Sequence, residues 1–212
     1  MVNDSNETST RQKILASAAS LFAEKGFTET SIRELAKAVG MEGGSIYNHF
    51  PSKNAILEQI LADYRVGSIN FEDEETTTNI LKKNPTTEGM IQCLQTIFPP
   101  DRAEYFLKIL HIMLHEQLRN PFVRSYMSEN IILRAERKIR LIIEVMKKLG
   151  FIRQDTESDY WMKVISSLSY SFMARMMLGI GDNSPEFTGR GMADMYRFTF
   201  DLMLEKCGIR KP

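Results

Sequence analysis

The chain has 212 residues, of which 27 are Lys or Arg and 27 are Asp or Glu, so its formal net charge at pH 7 is zero. This length is sufficient for a substantial hydrophobic core in one or two domains. The balanced charge gives no global signal for a polyanionic partner. No apolar run reaches the length that crosses a bilayer, which argues against a membrane-spanning protein.

The two cysteines, Cys93 and Cys207, stand far apart in the sequence. Because no signal peptide is evident, we interpret both as reduced thiols of a cytoplasmic protein. Thirteen Met and twelve Phe residues predict an adaptable apolar interior. Two explanations of that composition stay open, an ordinary Met-rich helical core and a ligand cavity.

The N-terminal quarter predicts three short helices. The polar residues 1–9 are expected to be disordered. Helical apolar spacing predicts a first helix over residues 10–25, ended by Gly26, and a second one ended by Gly40. A third begins a few residues later and is closed by Pro51. Two short helices joined by a glycine turn form a helix-turn-helix, whose second helix enters the DNA major groove.

The rest of the chain predicts six further helices and no strand pattern or internal repeat, which gives an all-α fold with about nine helices. Residues 71–87, rich in Glu and Thr, are predicted as a solvated loop with one or two helical turns, and residues 181–189 as a turn-rich loop. The first of the six follows Ser52, and the second runs from residue 86 or 87 to before Pro99. The third runs from the capping-box pair Asp101 and Glu104 to Arg119, and the fourth runs from Asn120 to Leu149. The fifth follows Asp155 or Thr156, and the sixth covers residues 191–206.

The run A-x-x-x-G-x-x-x-G-x-I-Y-x-H-F-x-x-K-x-x-x-L, from Ala36 to Leu57, resembles the DNA-binding domain of TetR-family repressors. The upstream segment from Arg11 to Gly26 looks like the first helix of that family. The resemblance covers about 50 residues, with ends uncertain by a few positions. The remainder of the chain is similar to the family only in length and helical character.

This resemblance implies a division into two domains. An N-terminal three-helix DNA-binding domain with a helix-turn-helix is expected at residues 9–54. A larger helical domain for ligand binding and dimerisation is expected at residues 55–212. The expected partners are double-stranded DNA with a palindromic operator, a second copy of the chain and a small-molecule ligand, with no membrane.

Residues near the start of the recognition helix are the candidates for reading bases. They are Gly43, Ser45 and Asn48. Asn48 is the best reader, because an amide pairs with adenine, whereas Gly43 has no side chain. Arg33 on the preceding helix is a second candidate, for guanine or for phosphate.

Other residues are candidates for contacts with the DNA backbone. The resemblance implies this role for Tyr47, His49 and Lys53. Thr30 and Ser31, at a helix N-terminus, suit phosphate through hydroxyls, backbone amides and the helix dipole. The alternatives, a core Tyr47, a helix-capping His49 and a solvated Lys53, stay open.

Three features bear on how strongly and how specifically this region would bind DNA. Residues 9–57 carry a net charge of only +2, which predicts few phosphate contacts per subunit and an affinity that relies on dimerisation. Glu42 stands where the family usually has a Ser or Thr N-cap. Glu is a poor cap, and its charge would face phosphate. The pair Gly43-Gly44 also makes the start of this helix more flexible than usual.

The last two predicted helices favour a homodimer. The penultimate helix is rich in serine, which lets helices approach closely, and the last helix is apolar on more than one face. A symmetric four-helix interface would cover the second apolar face. Phe172 and Met195 are the residues that we place in that interface.

A ligand cavity is predicted among residues of five helices that the family's architecture gathers together. The predicted lining is Tyr64, Met90, Leu94, Leu110, His111, Met127, Ile131, Trp161 and Ile165. His111 and His115 are spaced for a metal, but two ligands do not make a zinc site and cations share their stripe. We therefore predict no metal and no cofactor.

The leading hypothesis is a homodimeric, sequence-specific repressor that a small apolar or amphipathic ligand releases from its operator by a population shift. The alternative is a DNA-binding dimer without an inducer, such as an activator or a chromosome-organising protein. An enzyme is not expected, because the sequence shows no nucleophile–base constellation, glycine-rich phosphate loop or metal cluster.

Overall fold

The computed structural model describes residues 3–66, 73–97, 103–177 and 185–208. Regular structure in these ranges is helical apart from one isolated bridge between Ile152 and Gly208, so the predicted all-α fold class is confirmed. The α-helices are α1 (Asn3–Lys25), α2 (Ile32–Ala38), α3 (Lys53–Val66), α4 (Glu74–Lys83), α5 (Thr87–Gln95), α6 (Ala103–Glu116), α7 (Pro121–Met127), α8 (Leu133–Lys148), α9 (Ser158–Met177) and α10 (Pro185–Cys207).

Two irregular helical segments complete the described chain. A 3-10 helix at Gly43–Asn48 follows α2 and is the recognition helix of the predicted helix-turn-helix. A π-helical turn at Ser128–Ile132 joins α7 to α8, so the single helix predicted from Asn120 to Leu149 is interrupted near its middle. Met127 before this turn, Ile131 within it and Ile139 after it are each at most 3% exposed.

Glycines end three helices where the sequence predicts them to. Gly26, Gly40 and Gly150 have φ angles of 94°, 71° and 73° and lie directly after α1, after the last turn of α2 and after α8. In this left-handed region a side chain strains the backbone, and glycine has none. These three predicted stops are confirmed.

The first compact unit, the N-terminal unit, comprises Met1–Gly67 and Tyr105–Met127. Ile14, Phe22, Ile46 and Phe50 form part of its core and are at most 2% exposed. The α3 side chains that face inward are fully buried, and the Tyr126 hydroxyl donates a hydrogen bond to the Leu61 carbonyl at 2.6 Å. Helix α3 and most of α6 and α7 therefore group with the helix-turn-helix, a division that differs from the predicted boundary after residue 54.

The second compact unit, the C-terminal unit, comprises Ser68–Glu104 and Ser128–Pro212. Helices α4, α5, α8, α9 and α10 surround its core, in which Ile139, Ile165 and Phe200 are fully buried. The indole Nε1 of Trp161 donates a hydrogen bond to Cys207 Sγ at 3.1 Å, so both side chains are satisfied inside this core.

Three element predictions are wrong. Helix α1 begins at Asn3 rather than at residue 10, and α10 begins at Pro185 rather than at residue 191. Residues 74–83, predicted as a loop with one or two helical turns, form the complete helix α4. The helical spacing of the penultimate predicted helix also places Leu168 on its inward face with Trp161 and Ile165, and this prediction is wrong because Leu168 is 40% exposed. The predicted capping box at Asp101 lies outside the described residues.

Helix α4 is capped at its N-terminus by Asp73, which the Glu- and Thr-rich composition of this segment does not indicate. The Asp73 carboxylate accepts hydrogen bonds from the Thr76 backbone N–H, at 3.0 Å, and from the Thr76 hydroxyl. Thr77 and Leu81 lie on the inner face of the helix and are fully buried. A capped helix with a buried face is stable even where its remaining residues are charged and polar.

Candidate nucleic-acid interface

The recognition helix is anchored by one apolar residue and presents polar residues to solvent. Ile46 is fully buried, whereas the neighbouring Tyr47 is 56% exposed and Asn48 is also exposed. Neither Tyr47 nor Asn48 forms a side-chain hydrogen bond with another described residue. Both are therefore available to an external partner, and the alternative of a core Tyr47 is wrong.

Helix α2 adds a cationic face. Arg33 and Lys37 are four residues apart, so they lie on the same side of the helix, and both are exposed. Within the described residues neither side chain forms a hydrogen bond or an ion pair. Lys37 was not among the predicted DNA contacts, although its i, i+4 spacing from Arg33 was the signal that would have found it.

The N-terminus of α2 is already occupied by a carboxylate from its own chain. Ser31 is the N-cap, and its hydroxyl accepts the Glu34 N–H at 3.2 Å while Glu34 accepts the Ser31 N–H at 2.9 Å. Lys25 pairs with Glu34 at 3.0 Å. The Ser31 backbone bond, followed by Lys25 and the Ser31 hydroxyl, lowers the pKa of Glu34 to about 2. A phosphate at this helix end would therefore meet an ionised carboxylate.

The Thr30 hydroxyl does not face solvent as expected. Thr30 is fully buried, and its hydroxyl lies 2.8 Å from the Gly26 carbonyl and 3.3 Å from the Leu21 carbonyl. This hydroxyl closes the turn between α1 and α2, because a buried hydroxyl without a partner would cost roughly 1–3 kcal/mol. The predicted contact of Thr30 with phosphate would need this hydroxyl, which is already hydrogen-bonded to carbonyls inside the fold.

Lys53 also turns inward, although the resemblance implies a contact with the DNA backbone. Its Nζ donates to the carbonyls of Phe27 at 2.7 Å, Thr28 at 3.2 Å and Thr30 at 2.8 Å. The same Nζ lies 4.6 Å from the centre of the Phe27 ring. Partial burial lowers the pKa of Lys53, and the charges of Glu116 and Glu29 oppose that shift.

Arg11 on α1 holds the other end of the recognition helix. Its guanidinium donates to the carbonyl of His49, the C-cap residue of that helix, and lies 4.2 Å from the centre of the Phe50 ring. His49 itself is half-buried, and its Nδ1 is enclosed without a hydrogen-bond partner among the described residues. No sequence pattern indicates this role of Arg11, because the contact joins residues that are 38 positions apart.

The N-terminal end of the recognition helix is open. Glu42 is its N-cap residue and forms no side-chain capping bond, as the poor capping ability of Glu predicts. Gly43 approaches Arg33, because a Cβ on Gly43 would lie 3.9 Å from the Arg33 Cα, whereas a Cβ on Gly44 would meet nothing within 4 Å. Ser45 is half-buried. The Glu42 side chain is exposed at this end.

The nine residues of the predicted ligand cavity are divided between the two units. Tyr64, Leu110, His111 and Met127 belong to the N-terminal unit, and Met90, Leu94, Ile131, Trp161 and Ile165 belong to the C-terminal unit. Six of the apolar residues and Trp161 are at most 8% exposed. The cavity that would join these residues stays a prediction.

Two of these residues have surroundings that the sequence did not indicate. Tyr64 stacks on Phe106 with ring centres 5.6 Å apart and lies 6.3 Å from Tyr105. His111 is exposed and stacks on His115 at 4.5 Å. Partial burial, together with the charge of His115, lowers the pKa of His111. In the described ranges His, Cys, Asp and Glu side chains do not gather in any group of three that could hold a metal ion.

A short helix, a glycine turn and an exposed second helix with polar residues define a helix-turn-helix DNA-binding protein. Residues 14–60 match the family described as bacterial regulatory proteins, tetR family. The similarity to this family shown by the match is that of residues 14–60. The match covers the α1–α3 region, in which the predicted motif lies.

Curated relatives support the same assignment. The repressor KstR2 of Rhodococcus jostii is 40% identical over 87 residues, which are 41% of this chain and 42% of the relative. The chain therefore matches less than half the length of that protein. The repressor Rv1474c of Mycobacterium tuberculosis is 26% identical over 181 residues, which are 84% of this chain and 88% of the relative.

The complete fold is also similar to solved structures. A regulator from Mesorhizobium loti that is assigned to the TetR family has a TM-score of 0.66 and 16% identity, over 96% of this chain and 98% of that one. At this identity the likeness concerns the fold alone. Among the described residues no helix has the length and apolar character needed to cross a membrane.

Proposed function

We propose that the chain is a homodimeric, sequence-specific transcriptional repressor that binds a palindromic double-stranded DNA operator. The observation that carries this proposal is the exposed pair Tyr47 and Asn48 on a recognition helix whose other side is fixed by the buried Ile46. The second helix of a helix-turn-helix lies in the major groove, where its exposed polar side chains can meet base edges and phosphates. The names of the curated relatives favour a repressor over an activator or a chromosome-organising protein.

In this proposal Asn48 and Arg33 read base edges, and Tyr47 and Lys37 contact phosphate. Asn pairs with adenine and Arg with guanine through two hydrogen bonds each. Ser45, which has one hydroxyl, contributes less discrimination. Gly43 permits the approach of the helix to α2. Phosphate contacts through Tyr47 and Lys37 set the register of the helix without specifying sequence.

The proposed dimer interface is the outer face of α9 and α10. Phe198 is 66% exposed and Leu168 is 40% exposed, which are large apolar areas to leave in water. Helix α10 has a separate inner face, on which Tyr196 and Phe200 are buried in the C-terminal unit. A twofold axis that pairs the outer faces would bury Phe198 and Leu168 in a four-helix interface.

A small ligand is proposed to release the dimer from its operator. Release requires that the ligand bind the conformer with low DNA affinity more tightly than the other conformer. The predicted lining residues are mostly apolar, which favours an apolar or amphipathic ligand. The proposed location is the cytoplasm, where a bacterial regulator reaches its DNA.

Selection from a random duplex library tests the proposed function. Wild-type protein should enrich a palindrome whose half-sites are roughly 34 Å apart, one turn of B-DNA. Enrichment of no sequence over the starting library would reject it. With the selected operator, a screen of apolar compounds for release, repeated on Leu110→Trp, then tests the ligand site, because a ligand that binds this variant unchanged does not use the predicted cavity.

A further inference from the structure

The N-terminal unit contains basic side chains of two kinds. Lys13, Arg33 and Lys37 are exposed, and within the described ranges none of them forms an ion pair. Arg11 and Lys53 instead turn inward against backbone carbonyls and aromatic rings. This difference bears on which cations DNA can use.

The contacts of Lys53 occupy all the N–H donors of its ammonium group. An ammonium has three N–H donors. Three carbonyls, those of Phe27, Thr28 and Thr30, lie within 3.2 Å of Nζ, and one ring face lies against it. A contact with phosphate would require Lys53 to give up at least one of these bonds and its place over the Phe27 ring.

Arg11 is committed in the same way. Its guanidinium donates to the His49 carbonyl and covers the ring of Phe50, which is 2% exposed. A planar guanidinium suits both contacts at once, since it donates in its plane and stacks through its face. Arg11 thereby joins α1 to the C-terminal end of the recognition helix.

The recognition helix needs such external support. It is a six-residue 3-10 helix, and this type of helix has poorer hydrogen-bond geometry than an α-helix. Its N-terminal end has the uncapped Glu42 followed by Gly43-Gly44. Arg11 holds the C-cap residue of this helix. Lys53, at the start of α3 shortly after that C-cap, fixes the beginning of α3 against the α1–α2 turn.

We infer that Arg11 and Lys53 are positioning residues for sequence reading, and that the exposed cations such as Lys37 carry the phosphate contacts. Arg11 and Lys53 act through the orientation of Tyr47 and Asn48. Their loss should therefore reduce the preference for operator over random DNA, whereas loss of a phosphate contact weakens binding to all sequences about equally. This inference rests on the proposed DNA-binding function.

Salt dependence separates the two roles. The slope of log K against log salt concentration falls in magnitude by about 0.9 for each phosphate contact that is lost. Binding of full-length protein to the selected operator and to a random duplex should be measured from low to physiological salt for the wild type, Lys53→Met, Arg11→Met and the exposed control Lys37→Met. We expect Lys37→Met to flatten the slope, and Lys53→Met and Arg11→Met to leave it unchanged while lowering the operator preference at least tenfold.

Charge-conserving variants keep the test decisive if the Met variants fold poorly. Lys53→Arg retains the charge, but the planar guanidinium of arginine cannot direct its N–H groups at the three converging carbonyls. Arg11→Lys also retains the charge, but lysine has no planar group to stack on the Phe50 ring. Both should lose operator preference at an unchanged slope. Operator preference like that of the wild type in both, or a slope flattened by about 0.9 in Lys53→Met, would overturn the inference. Failure of the wild type to prefer any duplex would instead remove the proposed function and this inference with it.

Discussion

Lys138 Nζ lies 2.7 Å from Thr77 Oγ1, and both side chains are at most 1% exposed. The Thr77 hydroxyl in turn donates to the Asp73 carbonyl at 3.0 Å. The pair joins α8 to the first turn of α4, which explains how a helix of low apolar content is held in the C-terminal unit. This contact also leaves the Lys138 ammonium buried, and the Lys138 side chain forms no ion pair within the described residues.

Lys138→Met should stabilise the C-terminal unit. Replacing a buried charged group by an apolar one of similar shape is often neutral or stabilising, by roughly 1–4 kcal/mol. Thr77 would keep its bond to the Asp73 carbonyl, so no new unsatisfied group appears. Urea unfolding would measure the change. Thr77→Val is the control, since it removes the hydroxyl and keeps the charge, and it should destabilise by roughly 1–3 kcal/mol.

The contribution of Lys138 to the free energy of unfolding changes with pH in a defined direction. Burial lowers the pKa of Lys138 from 10.5, with Cys93 and Asp73 opposing the shift. Between the lowered pKa and 10.5 the unfolded chain binds more protons than the folded one, so stability rises with pH. The advantage of Lys138→Met over the wild type should therefore be complete below the lowered pKa and shrink as pH approaches 10.5. An advantage that grows with pH would contradict this assignment.

Both thiols should be unreactive in the folded protein. Cys93 and Cys207 are buried, and burial raises the pKa of Cys93 to about 11, with Lys138 opposing. The thiolate is the reactive form, so its population at pH 8 is very small. A coloured disulfide reagent should react with neither thiol until denaturant is added. Lys138→Met should slow Cys93 further at high pH, and a fast native reaction in Cys207→Ser would refute the assigned environment of Cys93.

Phe198→Glu should convert the dimer to a monomer. Phe198 is 66% exposed on the outer face of α10, and a glutamate there would place an unpaired charge in the proposed interface. Phe122→Glu is the control, because Phe122 is 41% exposed but lies on α7. Sedimentation velocity should give a monomer for the first variant and a dimer for the second. A full dimer for Phe198→Glu would exclude this face.

Phe172 and Met195, which the sequence placed in the interface, are less diagnostic. The Phe172 ring lies 2.8 Å from the position that a Cβ on Gly191 would occupy, so it packs between α9 and α10 of the same chain. Met195 is half-buried, with its sulfur 4.0 Å from the Ser169 hydroxyl. A charge at either position would disturb the fold of the protomer as well as any dimer.

Local chemistry made part of the structure predictable. A left-handed glycine such as Gly40 and an N-cap such as Ser52, whose Oγ accepts the Ala55 N–H at 3.0 Å, act over a few residues and can be found in sequence. Lys53 could not be assigned in this way. Its carbonyl acceptors lie 23 to 26 positions earlier in the chain and converge only in the folded unit.

The same limit explains the failure at α4. Its Glu and Thr residues are typical of a solvated loop, and the side chain that satisfies Thr77 is 61 positions away, on α8. The candidate site shows both cases. Tyr47 and Asn48 follow from helical register beside the buried Ile46, whereas the inward direction of Thr30 depends on the carbonyls that the α1–α2 turn presents.

Glu42→Ser should increase affinity for all DNA sequences. Serine is a strong N-cap, and a capping bond that Glu42 does not form should stabilise the recognition helix by about 0.5–2 kcal/mol. The change also removes an exposed negative charge that would repel the phosphates of a bound duplex. Electrophoretic mobility shifts on operator and random duplexes would measure both effects. A gain confined to one base pair would instead show that Glu42 takes part in sequence reading.

Asn48→Ala should relax the preference at one base pair of each half-site without changing the salt dependence. Asn48 is exposed at the C-terminal end of the recognition helix, and its amide can both donate to and accept from adenine. Loss of such a bidentate contact should reduce discrimination against the wrong base by roughly 1–3 kcal/mol.

Tyr47→Ala is the matched control for Asn48→Ala, because Tyr47 is its neighbour on the same exposed face. A side chain that contacts phosphate positions the protein without specifying sequence, so this variant should weaken binding to all duplexes and leave the selected sequence unchanged. Selection from the random library should be repeated with both variants. If the Asn48→Ala profile matched that of the wild type at every base pair, the assignment of Asn48 as the reader would be wrong, and Arg33 would be the next side chain to replace.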